Sequence, residues 1–272
     1  MPANKLICSL CISIYNRPAA LRLCLQSVMA QSVLPYEIII GDDGSGHETK
    51  KLIEEFTMSS PIPVIHVWQP DEGFQLAKIR NKSFAKAAGD YIIQIDGDLI
   101  LHPKFIEDHI RIAREGTFLC GTKCLLDKTC TDKMTGDNKY FFPSFFSKHL
   151  RHRYNAFRCR TLARINYFLQ RGKSKYLYVK GANMAFWKKD IIRVNGYNEI
   201  FKGWGKEDNE LAARLCNAGV KLRFIRFAAI TYHLHHQIAS LVHMNQNEVL
   251  MRQTVDNNVT FTPQGVNAYI NK

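Results

Sequence analysis

Apolar runs and amphipathic stretches alternate through the first hundred residues, and each apolar run stops at a polar cluster. Lys5 to Tyr15 reads as a buried strand whose end is Ser13-Ile14-Tyr15-Asn16-Arg17-Pro18. Pro18 suits the first turn of a helix, where its missing N–H is not needed, and the helix is expected over Ala19 to Ala30. Tyr36 to Ile40 is a second strand, ending in Gly41-Asp42-Asp43-Gly44-Ser45-Gly46, with a helix from about His47 to Phe56. Val64 to Trp68 is a third strand, Leu76 to Ala88 a helix closed by Gly89, and Tyr91 to Ile95 a fourth strand. Strand and helix in alternation with short links predict an α/β fold: a Rossmann-like, mostly parallel central sheet flanked by helices.

The second half is less regular. A helix is expected over Pro103 to Glu115, strands over Thr117 to Cys124 and Tyr176 to Phe186, and a short helix over Lys188 to Val194. A helix from Glu207 to Asn217 closes at Gly219, a last strand runs Lys221 to Ile230, and a polar tail from Gln237 is helical to about Val255. Between Lys123 and Lys180 lie fourteen Lys and Arg against Asp127, Asp132 and Asp137, interleaved with aromatics such as Tyr140, Phe146, Tyr154 and Phe168. We read this as a basic helical insertion over the active face, with one or two helices in Ser144 to Gln170.

Polar groups therefore gather where successive strands end, the edge at which open α/β sheets bind ligands. Asp96-Gly97-Asp98 places two hard oxygen ligands at such a lip, with Gly97 expected to permit a tight turn. Ordinary turn chemistry accounts for Asp-Gly-Asp equally well, and Asp42-Asp43 before Gly44 serves equally as a helix entry. No Gly-x-Gly-x-x-Gly follows the first strand and no Gly-x-x-x-x-Gly-Lys loop is present, which disfavours a dinucleotide site and a P-loop. Trp204, braced by Gly203 and Gly205, precedes Glu207 and Asp208; a ring beside a carboxylate suits a sugar, although acids in a first helical turn are also plain capping. His233, His235 and His236 end the last strand and offer metal ligands.

Composition narrows the partner. A net charge of +13 favours a polyanion. Basic residues among aromatics fit an anionic lipid surface through 140–175 or a solvated lid, with nucleic acid the weaker reading. The chain has no run of about twenty apolar residues. Its eight cysteines, in no metal-ligand spacing, read as buried thiols in a reducing cytoplasm.

Taken in order, Ser13-Ile14-Tyr15-Asn16-Arg17, Gly41-Asp42-Asp43-Gly44-Ser45, Gly73-Phe74 with Ala77-Lys78-Ile79-Arg80-Asn81, and Asp96-Gly97-Asp98 resemble inverting family 2 glycosyltransferases of the glycosyltransferase A fold. Gly203-Trp204-Gly205-Lys206-Glu207-Asp208-Asn209-Glu210 resembles the acceptor loop of β-1,4-galactosyltransferases and chondroitin polymerases. The resemblance implies one domain over 1–272: a nucleotide-sugar half (1–100), an acceptor half (101–240) carrying the insertion at about 125–175, and a tail (241–272). It implies a UDP-sugar donor held by Ile14, Tyr15, Arg17, Asp42, Asp43, Arg80 and Asp96. It further implies Mn2+ or Mg2+ on Asp98 and His233, with His235 and His236 as alternatives to the latter. Trp204 and Glu207 would hold a glycan or lipid-linked saccharide acceptor, and Asp208 would be the general base. The expected setting is surface polysaccharide synthesis by a cytoplasmic enzyme, peripheral on the inner face of the membrane. Lys206 departs from the small residue usual in the galactosyltransferases.

Overall fold

The computed structural model describes residues 6–170, 176–237 and 240–270. β1 (Cys8–Ile14) is buried at all seven positions, as a strand covered on both faces must be. β2 (Glu37–Asp42), β3 (Val64–Trp68) and β4 (Tyr91–Asp96) build on it in parallel, in the order β4-β1-β2-β3. Side chains alternate across this sheet with period two. Leu10, Ile12, Ile38, Ile40, Ile93 and Ile95 pack on one face, and Cys11, Ile39 and Ile92 on the other.

The helices are α1 (Pro18–Met29), α2 (His47–Ser59) and α3 (Leu76–Lys86). α1 is buried on two sides because it lies between two layers, with Ala19 and Arg22 left exposed. Leu21, Leu25 and Val28 join the large-sheet core, while Ala20 and Leu23 join a second core. That second core belongs to a small four-stranded sheet that the hydrophobic pattern did not reveal.

Four expected elements change form. The strand over Thr117 to Cys124 is two strands in different sheets, after β5 (Leu99–Leu101) and α4 (Phe105–Ile112). β6 (Thr117–Gly121) lies in the large sheet and β7 (Lys123–Leu126) in the small one. The chain leaves the large sheet where the Asn183 amide presses on Gly121, so closely that a Cβ there would lie 2.1 Å from Asn183 Nδ2.

Within the insertion, helix is confined to α5 (Lys128–Gly136), which was not anticipated, and α6 (Arg160–Leu169). Between them Pro143 and a left-handed His152 (φ 54°) stop helix growth, leaving β8 (Leu150–Arg151) and a 3-10 turn at Arg153–Ala156. Arg158 ties the insertion to α4, its Nε and NH2 lying 2.9 and 2.7 Å from the buried Asp108 carboxylate.

Tyr176 to Phe186 begins as a 3-10 turn because Asn209 Nδ2 bonds the carbonyls of Tyr176 and Val179. Only β9 (Asn183–Trp187) is strand, inserted antiparallel between β4 and β6. After α7 (Lys188–Arg193) and α8 (Glu207–Asn217), the strand expected over Lys221 to Ile230 stops early as β10 (Lys221–Ile225), and β11 (Thr231–His233) begins only past its expected end. Phe227 (φ 63°) and Ala229 (φ 49°) adopt left-handed backbone, which no strand continues through. Bonds from Ala229 N–H to Asp108 and from Asn183 Nδ2 to the Ala229 carbonyl hold that conformation.

The large sheet thus runs β10-β6-β9-β4-β1-β2-β3 and the small one β5-β11-β7-β8. α9 (Met244–Asp256) packs on α8. Six of the eight cysteines are buried. Among the described residues no helix is long and apolar enough to cross a membrane.

Candidate active site

The β1–α1 and β2–α2 links are fastened together. Asn16, left-handed at φ 46°, accepts from Gly46 N–H (2.8 Å) and donates its own N–H to Ser45 Oγ (2.9 Å). Asp42 faces inward and is fully buried, accepting from Ser45 N–H (2.8 Å) and lying 3.1 Å from His66. Asp43 stands at the lip, each oxygen taking one bond, from Gln69 Nε2 (2.6 Å) and Gln75 N–H (2.9 Å). Burial raises its carboxyl above the usual aspartate range, and those two bonds oppose the rise. Ile14 is buried beside it; Tyr15 is exposed, its hydroxyl bonded to Asp71 at 2.8 Å.

Asp96 and Asp98 diverge. Gly97 has ordinary backbone, and its role is close packing rather than a special turn: a Cβ there would lie 3.0 Å from Ile14 Cδ1 and 3.2 Å from the Ser13 carbonyl. Asp96 meets Arg80 NH2 at 2.9 Å, and burial raises its carboxyl despite that cation. Asp98 meets Arg17 NH1 at 2.5 Å, His233 at 3.5 Å and His236 at 3.3 Å.

Ligating atoms of Asp98, His233 and His236 all lie within 4.8 Å of one another. Two donors suit a divalent cation here: buried Asp98 Oδ1, which has no hydrogen-bond partner, and His233, which burial depresses to about 4 and so keeps neutral. His235 is placed differently, its N–H bonded to Thr131 Oγ1 (2.8 Å) and its side chain exposed.

Arg80 joins the two halves of the site. Its side chain is 2% exposed, and NH1 lies 2.8 Å from Asp208 Oδ1 while NH2 holds Asp96. Asp208, in the first turn of α8, is fixed by two more donors. Tyr197 hydroxyl lies 2.8 Å from Oδ1, and Gly181 N–H donates to Oδ2 at 2.9 Å. Glu207 is buried against the loop, accepting from Gly205 N–H at 2.8 Å. Burial first, then the Asp208 charge, pushes its carboxyl up to about 7.

Trp204 remains 39% exposed on the loop before α8. Gly203 and Gly205 have φ of 65° and 114°, conformations open to glycine at little cost. The loop rests on α9, where Asn247 Nδ2 bonds the carbonyls of Lys202 (3.0 Å) and Gly205 (2.9 Å). Lys206 is left-handed and pairs with Glu248 at 2.6 Å, so the departure noted in the sequence points to the tail. Sequence reasoning missed Gly181, Tyr197 and Asn247. One signal was available, Gln94 alone in an apolar strand, which bonds the Gly181 carbonyl (2.6 Å) and lies 3.0 Å from Tyr197 hydroxyl.

This fold, with carboxylates at the strand ends and a carboxylate-led helix facing them, is the glycosyltransferase A architecture. The model for Glycosyl transferase family 2 matches residues 9–170, and one described as the N-terminal domain of galactosyltransferase matches 165–237. The chain belongs to glycosyl transferase family 2.

Among curated proteins, chondroitin synthase from Escherichia coli is 24% identical over 237 residues, covering 83% of this chain and 34% of that protein. Hyaluronan synthase from Pasteurella multocida is 26% identical over 223 residues, covering 78% and 23%. The chain therefore spans about a third and a quarter of these relatives' lengths.

Among solved structures, a mannosyltransferase from Pyrobaculum calidifontis in complex with GDP-Man and Mn2+ aligns with a TM-score of 0.60 at 13% identity, over 87% of this chain and 59% of that one. TarS from S. aureus in complex with UDP aligns with a TM-score of 0.61 at 12% identity, over 96% and 68%.

Proposed function

We propose that the chain transfers a hexose or N-acetylhexosamine from a UDP-sugar to a glycan or lipid-linked saccharide hydroxyl, with inversion, in surface polysaccharide synthesis. One observation carries this reading: Arg80 spans from Asp96, at the donor lip, to Asp208, beneath the acceptor loop. Solved neighbours hold UDP in one case and GDP-Man with Mn2+ in the other, and polymer synthases are among the relatives, which supports the donor class and the setting.

The donor's uracil sits against Ile14, Tyr15 and Asp43, its ribose on Asp96, and Arg17 reaches the diphosphate. Inward-facing Asp42 acts by shaping the loop that carries Asp43. Asp98, His233 and His236 would hold Mn2+ or Mg2+, which would supply positive charge against the leaving diphosphate. Trp204 packs on a sugar face and Glu207 supports its loop. Asp208 Oδ2 takes one bond, from Gly181, and so has acceptor capacity left for the incoming hydroxyl proton. The hydroxyl oxygen bonds the anomeric carbon as the bond to the UDP oxygen breaks, and the proton passes to Asp208. One displacement at one carbon inverts configuration.

Titrating UDP by calorimetry with and without Mn2+ tests the reading. Binding that strengthens with Mn2+, and loses that dependence in Asp98→Ala, is expected. UDP binding indifferent to the ion would overturn the metal assignment, and no UDP binding at all would overturn the donor.

A further inference from the structure

α6 turns the usual amphipathic arrangement outward. It is anchored to the sheet through Ala163, Tyr167 and Gln170, which share one side at helical spacing. Ala163 is buried, the Tyr167 ring lies 5.6 Å from the Arg223 guanidinium, and Gln170 bonds both the N–H and the carbonyl of Phe224 at 2.7 Å. Its large apolar residues face the other way: Leu162, Ile165, Phe168 and Leu169 are 40%, 48%, 61% and 72% exposed. Phe146 and Tyr154, from the preceding segment, are 83% and 80% exposed. Scattered exposed hydrophobics are ordinary, but a helix that presents four in register is not.

The surrounding charge has one sign. Residues 138–189 contain thirteen Lys and Arg and no Asp or Glu. Arg158 and Arg160 are taken up by Asp108 and Glu107. Lys148, Arg151, Arg153 and Arg164 have no acidic partner among the described residues. Phe168 and Leu169 also stand at one wall of a cleft of about 1230 Å³ that includes Lys180 and Ala182, the residues flanking Gly181.

We propose that this face, α6 with Lys148, Arg151, Arg153 and Arg164, docks the protein on an anionic lipid bilayer and turns the mouth of the cleft towards it. The apolar stripe enters the boundary between headgroups and acyl chains, while the cations remain at headgroup level. An acceptor carried by a lipid then enters the cleft at Lys180 and Ala182, on the Gly181 side of Asp208, without leaving the surface. Docking is independent of the donor and metal assignments and is read without turnover.

Flotation of the full chain with vesicles tests it. Vesicles of phosphatidylcholine with phosphatidylglycerol should carry the protein, vesicles of phosphatidylcholine alone should not, and salt should release it. Phe168→Ser with Leu169→Ser, and separately Arg151→Gln with Arg153→Gln and Arg164→Gln, should each reduce the bound fraction by about tenfold or more. Circular dichroism and thermal melts matching the parent show that loss is not unfolding. Unchanged binding in both folded variants, or equal binding to both vesicle types, would overturn the proposal. So would retention on single-stranded RNA with no vesicle binding.

Discussion

Gly181 donates its N–H to Asp208 at 2.9 Å, and a Cβ on residue 181 would lie 2.0 Å from Asp208 Oδ1. The carboxylate thus occupies the space that any other side chain would need. Gly181→Ala should displace Asp208 and lower the transfer rate by about a hundredfold or more, since small misplacements cost that much at a reacting centre. UDP affinity should stay within about twofold. Steady-state kinetics with a parallel UDP titration checks this; parent-like turnover would show that Asp208 tolerates another position.

Asp208→Asn keeps the shape and, through its single amide oxygen, the bonds from Arg80 and Tyr197, while its NH2 faces the Gly181 N–H without a bond and no carboxylate is left to take the proton. Transfer should fall by about a hundredfold to ten-thousandfold, with UDP binding retained. Near-parental turnover would assign the base elsewhere.

Glu207 gives a pH signature. Burial and then the Asp208 charge raise its carboxyl to about 7 in the folded chain, above the ordinary 4.5. The folded state therefore holds a proton that the unfolded state releases, and stability falls as pH rises from about 4.5 to 7. Below that window no penalty exists, and above it the penalty is complete. Glu207→Gln should raise the melting temperature more at pH ~8 than at pH ~5. An equal change at both would mean that this group does not titrate differently on folding.

Arg158 fastens the insertion to Asp108, which is fully buried and also holds Ala229. Arg158→Ala leaves that carboxylate with Arg111 and Ala229 and should lower stability by about 3 kcal/mol. Denaturant melts measure the loss. The same change should speed proteolysis within 138–170 more than elsewhere, and uniform protection would refute this anchoring.

The parallel half of the fold was legible because β1, β2 and β4 are apolar along their length and stop at polar clusters. The second sheet was not. β7 and β11 follow β6 and β10 in apolar runs that hydropathy does not divide, and the divisions come from Asn183 at Gly121 and left-handed Phe227 and Ala229. In the site, residues supplying charge at strand ends were readable, and so were the acids opening α8. Positioning groups were harder, because Tyr197 and Gly181 look like an ordinary core aromatic and a loop glycine until the chain folds them against Asp208. The turn at Gly97 was legible, but glycine is required there by close packing against β1 rather than by a tight-turn backbone conformation.

Asn247 and Glu248 lie on α9, beyond the last residue that either family model matches. The loop bearing Trp204 is therefore held from behind by that helix. On the proposed assignment of Trp204 to the acceptor, substitutions in that helix should tilt the platform while leaving the nucleotide lip untouched. Acceptor preference should then be separable from donor preference, and exchanging the tail offers a route to changing one without the other.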